Sequence, residues 1–316
     1  MFAIVGAAGK VGFATSTALR EAGVPVKAIL RDESKSARLR EIGCEIAIAN
    51  LQDPNALAVA IGNAENVQVI LPPSPRVEDT AKEMREAIEA LATALEKVRP
   101  RRLLAISDYG AHVTRDIGMP TMCRAFEKRL GQIQGHKLFL RSAEHMQNWA
   151  RSIPTAMASG TLLSFLEPTD KLLPTISASD LGSIAADLLL QPASGDNLEI
   201  VHAEGPCRYS VDDVATAVGQ LLGRTIKVEV VPRSQWKDAF EQVMSPSLAD
   251  LLIKANDAQN EGGLVDVEPG CHEVRYGGTP LIDALRPLFF PRDTRSRVCN
   301  RNTVLSFGSD AICELL

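Results

Sequence analysis

The feature that most constrains this chain stands at its start, where "FAIVGAAGKVG", Phe2 to Gly12, sets a short apolar run directly against three glycines at GxxGxxG spacing. A strand that ends in such a turn and continues as a helix is half of a βα unit. The first glycine permits a sharp turn, the second lets backbone N–H groups approach an anion, and the third lets the helix pack closely on the strand. The pattern therefore points to a dinucleotide cradle, although the same glycines also suit a tight turn that holds nothing.

The following 140 or so residues repeat the unit. Strands are expected at Val26 to Leu30, in "CEIAIANL", in "VQVILPP", in "RRLLAIS" and in "KLFLRS". Between them lie helical stretches at Lys10 to Ala22, Ser34 to Ile42, a segment opened by Asp53 as N-cap with Pro54 behind it, a long helix, and Ala125 to Ile133. In the long helix Val77, Ala81, Met84, Ile88, Leu91 and Leu95 recur in steps of four and three, one stripe facing a sheet. Alternation this regular predicts an α/β fold, a doubly wound parallel sheet over residues 1–150.

Beyond Trp149 loops lengthen and prolines scatter. Helices are expected from Ser179 or Asp180 and from Ser210, and a strand in "TIKVEVVP". Residues 151–291 are thus expected to form a smaller α+β lobe interleaved with the sheet edge and capping a substrate. The stretch 292–316, with Arg292, Arg295, Arg297 and Arg301, is expected to be a loosely attached tail.

Composition narrows the function classes. The 316 residues carry a net charge of −5 with acids and bases interspersed, so no basic stripe for a nucleic acid is visible. No apolar run approaches the roughly 18 residues that span a bilayer, and no leader pattern opens the chain, which predicts a cytoplasmic protein. Its six cysteines (Cys44, Cys123, Cys207, Cys271, Cys299 and Cys313) show no CxxC pair or metal-ligand spacing, so reduced thiols and no metal are expected.

At the end of the second strand "AILRDESKS" puts Arg31 where an NAD-selective site usually has an acid, with Lys35 nearby. That favours NADP(H), provided Asp32 and Glu33 face away; otherwise Arg31 is a solvated surface charge.

Taken in order, "IVGAAGKVG", "LRDESKS", "ANLQDPNALAVAI", "VILPPSP", "LLAISDYGA" and "FLRSAEHMQNW" resemble the NmrA-like group of atypical short-chain dehydrogenases, and the likeness runs over about residues 1 to 290. It implies a Rossmann domain that binds NADP(H), with a C-terminal lobe closing a substrate cleft. It further implies Gly6, Gly9, Lys10, Val11 and Gly12 at the pyrophosphate and Arg31 and Lys35 at the adenosine phosphate. Asn50 and Leu51 would lie near the adenine, and Leu71, Pro72, Pro73 and Ser74 along the ribose and nicotinamide.

The usual short-chain dehydrogenase pair, Tyr four residues before Lys, is absent, and no lysine lies between Pro100 and Glu127 where one branch of the group carries its own. Tyr109 is the first choice of proton donor, Ser107 the second, and His145 a candidate acid or base. Glu144 and Asn148 stand four apart, on one face if that stretch is helical. Phe165, Trp236 and Phe240 either wall the cleft or pack the second lobe. The expected activity is NADPH-dependent reduction of a small carbonyl, quinone or unsaturated metabolite by a monomer or homodimer. The alternatives are a non-enzymatic NADP(H) redox sensor and a redox-neutral isomerase or cyclase.

Overall fold

The computed structural model describes residues 1–290 except Ser194, Gly195 and His272. The expected tail, 292–316, with Cys299 and Cys313, lies outside the described residues. Among the described residues twelve strands run in chain order: β1 (Phe2–Val5), β2 (Val26–Leu30), β3 (Glu45–Ile48), β4 (Asn66–Ile70), β5 (Arg102–Asp108), β6 (His136–Ser142), β7 (Glu144–His145), β8 (Thr161–Ser164), β9 (Thr175–Ile176), β10 (Leu198–Glu204), β11 (Lys227–Val230) and β12 (Val274–Tyr276). Eight of them form one sheet in the order β12-β10-β6-β5-β4-β1-β2-β3. Its pairings are all parallel.

The chain reverses direction of travel between β1 and β4, so the crevice above their carboxyl ends is where an open α/β sheet takes its ligand. Both faces of the inner strands β1, β2, β4, β5 and β6 are largely buried, which is why they read as apolar runs without polar alternation. Ala3, Val5, Val67, Val69, Leu103 and Ala105 meet α3 (Pro54–Ile61), α4 (Thr80–Val98) and α5 (Met119–Leu130). Ile4, Ala28, Leu104, Ile106, Leu140 and Val201 pack with residues of α1 (Lys10–Glu21), α2 (Ala37–Glu41) and α7 (Ala178–Leu190).

The second half contributes to this sheet as well as to a lobe of its own. α7 crosses α1 so closely that a Cβ on Gly182 would stand 2.5 Å from the Ala14 methyl. Beyond the sheet, α6 (Ile153–Ser159), α8 (Val211–Leu222) and α11 (Leu281–Phe289) enclose one small core, and α9 (Trp236–Glu241) with α10 (Pro246–Glu261) another. β8 pairs with β11 and β7 with β9.

Several element boundaries differ from expectation for local reasons. The α5 helix begins at Met119 rather than Ala125, because Gly118 turns the chain at φ +74° and Pro120 fits the first turn. The second helix is split into a 3-10 turn, Glu33–Lys35, and α2. Val77 precedes α4, whose inner face is Met84, Ile88, Leu91 and Leu95. The α7 helix starts after Ser177, where Gln147 Oε1 accepts from Ala178 N at 3.0 Å, while Asp180 is occupied by Thr279 N and Oγ1. Glu144 and Asn148 do not share a helix face, since Glu144 lies in β7 and Asn148 in a 3-10 turn.

Candidate active site

At the centre of the carboxyl edge, Gly6 leaves β1 at φ +81°, and a Cβ there would strike Ile70 Cγ2 at the end of β4. Gly12 is equally constrained, for its Cβ would stand 2.4 Å from Gly6 O. Gly9 differs: a Cβ would meet only Gly6 O at 3.4 Å, an ordinary contact. The protein's own packing does not require glycine at this position, and what a side chain there would obstruct is the space above the helix start.

Gly9 is the N-cap of α1, gives no side-chain cap and is followed by no acid in the first turn. By contrast Asp53, Asp79, Ser210 and Ser245 cap α3, α4, α8 and α10. The start of α1 thus carries the positive end of its dipole with no side-chain cap and no acid beside it, and with Lys10 as first helical residue, a setting that suits an anion. A pyrophosphate fits this cradle.

On the β2 side Arg31 is exposed. The two acids beside it are engaged elsewhere: Asp32 Oδ1 accepts from Ser34 N at 2.9 Å, and Glu33 pairs with Arg40 at 3.1 Å. Arg38, which sequence reading passed over, stacks on the Phe13 ring at 4.1 Å. The Asn50 side chain accepts from Gln52 N and holds its own turn, and Leu51 belongs to the core under α3.

After β4, Leu71 is buried and Pro72, Pro73 and Ser74 are half-buried. The second lobe docks on this loop. Ser245 N donates to Pro75 O at 2.9 Å, Thr80 Oγ1 donates to Ser74 O at 3.0 Å and meets Ser245 Oγ at 3.0 Å, and Ser247 Oγ donates to Asp79 at 3.2 Å. From α10, Gln259 Nε2 donates to Glu144 at 3.0 Å and Asn260 Nδ2 to Phe165 O at 2.9 Å. Neither contact was visible in the sequence. Phe165 itself stacks on Phe240 and meets Trp236 edge-on; both partners are buried in the lobe.

The end of β5 separates the candidates for chemistry. Ser107 Oγ donates to Glu127 Oε1 at 2.6 Å, and Glu127 is clamped by Arg141 through Nε at 2.9 Å and Nη2 at 2.8 Å. Arg141 also reaches Glu268 at 2.5 Å. This is a buried structural network.

Tyr109 is 0 % exposed and lies edge-on to His202 with ring centres 5.3 Å apart. Burial, with Glu204 nearby, drives its phenol well above the ordinary range. Of the two expected donors, Ser107 is thus bonded to Glu127 and Tyr109 is buried. His145 does stand beside the cradle: burial and the Lys10 charge lower it to about 4, so it is neutral at pH 7.

The residue between Ser107 and Tyr109 is different. Asp108 ends β5 half-buried, opposite Ser142 of β6. Burial first, then the charges of Glu144 and Glu127, raise its carboxyl to about 8. Cys123 on α5 stands in the same cluster, its thiol pushed up by burial and by Asp108.

Among the described residues no group of three or more His, Cys, Asp or Glu is placed to hold a metal ion, and no helix is long and apolar enough to cross a membrane. Cys44, Cys123, Cys207 and Cys271 are free thiols.

The cradle has counterparts in known proteins. Residues 6–148 match the model of a family described as NAD(P)H-binding. This segment is an NAD(P)H-binding domain. Over 253 residues the chain is 25% identical to an NAD(P)H azoreductase of Xenophilus azovorans, covering 80% of this chain and 85% of that one.

In fold, the NAD(P)H-binding domain and its lobe resemble an NADPH-dependent quinone oxidoreductase of Escherichia coli solved with NADPH. That likeness has a TM-score of 0.73 at 22% identity and covers 92% of this chain and 100% of that one. A triphenylmethane reductase of Citrobacter sp. is similar to the same extent, with a TM-score of 0.73 at 16% identity, covering 91% and 99%. These neighbours share the α/β fold expected from the sequence.

Proposed function

We propose that the protein is an NADPH-dependent reductase of a small quinone, carbonyl or comparable unsaturated acceptor. The observation that carries this reading is the open helix start of α1 set beside an exposed Arg31 whose two acidic neighbours are turned to other partners. Gly6, Gly9, Lys10, Val11 and Gly12 would hold the pyrophosphate, and Arg31 and Lys35 the 2′-phosphate. The loop Leu71 to Ser74 would carry the ribose and nicotinamide side. When bound, the cofactor supplies a hydride. The chain supplies position, exclusion of water beneath α10, and a proton. The azoreductase and quinone oxidoreductase relatives support the reaction class.

A calorimetric titration with NADPH, NADP+, NADH and NAD+, followed by NADPH oxidation against quinone, carbonyl and azo acceptors, tests this. Tight NADPH binding with acceptor-dependent oxidation is expected. One observation favours a second reading, a redox sensor: Ser107 Oγ is bonded to Glu127 and Tyr109 is buried. Binding of the dinucleotides with no oxidation by any acceptor would select it, and turnover without NADPH consumption would select an isomerase.

A further inference from the structure

We propose that Arg38, seated on the Phe13 ring, is a specificity-determining residue that grips the adenosine 2′-phosphate from the α1 side and so favours NADPH over NADH. The proposal rests on the NADPH reading given above and adds to it a cation that the residues around Arg31 do not announce.

The contacts bring Arg38 to the glycine turn from the far end of the loop after β2. Ile29 O accepts from Gly6 N at 3.1 Å and from Ala7 N at 3.4 Å, so Arg31 leaves the strand beside that turn. Arg38 lies in the first turn of α2, and its guanidinium carbon stands 4.1 Å from the centre of the Phe13 ring. Phe13 is in turn fixed in the first turn of α1, where its N–H donates to Gly9 O at 2.8 Å. The ring packs on the core that contains Leu30 and Leu39, the neighbours of Arg31 and Arg38. One turn of α1 therefore carries both the unoccupied helix start and the seat of this arginine.

The charge on Arg38 is not spent. The residue is exposed, and among the described residues its guanidinium has no carboxylate partner. The acids of the loop are engaged elsewhere, Asp32 with Ser34 N and Glu33 with Arg40. Contact with a ring through a guanidinium's face uses none of the N–H donors, which lie in its plane and suit a phosphate bidentately. A phosphate monoester carries about −1.5 to −2 at pH 7. That is more than Arg31 neutralises beside a Lys35 that shares its charge with Asp32. A seat on Phe13 also holds the long side chain in place before the ligand arrives, which lessens the ordering cost of binding. The 2′-hydroxyl of NADH offers such a cation nothing to pair with.

The test is calorimetry on the full chain with NADPH, NADH and two fragments, adenosine 2′,5′-bisphosphate and 5′-AMP. R38A should weaken NADPH and the bisphosphate by about tenfold or more and leave NADH and 5′-AMP within about twofold. Its melting temperature should stay near that of wild type, because the side chain is exposed. R38K, which keeps the charge without the fork, should recover part of the loss. F13L, which keeps an apolar side chain on the core but removes the ring, should weaken NADPH about two- to fivefold. The double variant should bind no more weakly than R38A, since the ring acts through the arginine.

NADPH binding by R38A equal to wild type overturns the proposal, and so does an equal loss of NADPH and NADH, the mark of a merely structural role. Losses in F13L and R38A that simply add overturn the seat. Wild type that binds no dinucleotide, or binds NADPH and NADH alike, ends the NADPH reading and the Arg38 role together; that failure shows in wild type, whereas failure of Arg38 alone shows only in the variants.

Discussion

The three glycines of the turn do different work, and substitution separates them. Gly12→Val forces a side chain into the Gly6 carbonyl and Ala7 Cα, and overpacking of this kind costs about 1–3 kcal/mol, so thermal unfolding should drop by several degrees. Gly9→Val meets no such obstacle and should leave the melting temperature near that of wild type while weakening NADPH by at least about tenfold, read by calorimetry. Arg31→Ala should weaken NADPH about 10- to 100-fold and leave NADH unchanged, as expected for loss of charge-assisted hydrogen bonds worth about 1.5–3 kcal/mol. The glycine spacing and Arg31 were readable from the chain alone. Asp108 was not: its state depends on Glu144 and Glu127, which arrive from other segments, and an isolated aspartate is ionised at pH 7.

Elements were legible where their signals are local. The strands are announced by apolar runs, and α3 and α8 by Asp53 with Pro54 and by Ser210. At α8 Ser210 Oγ accepts from Asp213 N at 3.1 Å while Asp213 reaches back to Ser210 N at 2.8 Å. Ser210→Ala should therefore cost about 1 kcal/mol, lowering the melting temperature by roughly 2–4 °C, with NADPH binding intact. The start of α5 and the cap of α7 were hidden because a positive-φ glycine and a distant Gln147 set them. At the α1–α7 crossing a bulkier residue does reach the cofactor cradle. A Cβ on Gly182 would stand 2.6 Å from Val11 O, so Gly182→Leu should lower both stability and dinucleotide affinity, seen by melting and titration of one sample.

For the whole molecule, three displaced groups give stability a defined pH dependence. His145 and His202 fall from an ordinary 6.5 to about 4 on folding, so the stability they carry is present above pH 6.5 and is lost as pH falls towards 4. Asp108 moves the other way, from 3.8 to about 8, so its contribution is full below pH 3.8 and is lost as pH rises from there to about 8. Melting temperature should therefore decline on both sides of roughly pH 6.5, with D108N flattening the alkaline side and His202→Gln the acid side.

The sheet order carries a last consequence, for synthesis. The edge of β6 is covered only by β10, and the outer face of α1 only once α7 exists. At translation speeds of about 5–20 residues per second, a nascent chain that has completed β6 waits roughly 3–12 s before β10 emerges to pair with it. During that interval the growing polypeptide carries an unprotected strand edge flanked by apolar side chains, the kind of surface that holdase chaperones bind and that invites aggregation in chains released early.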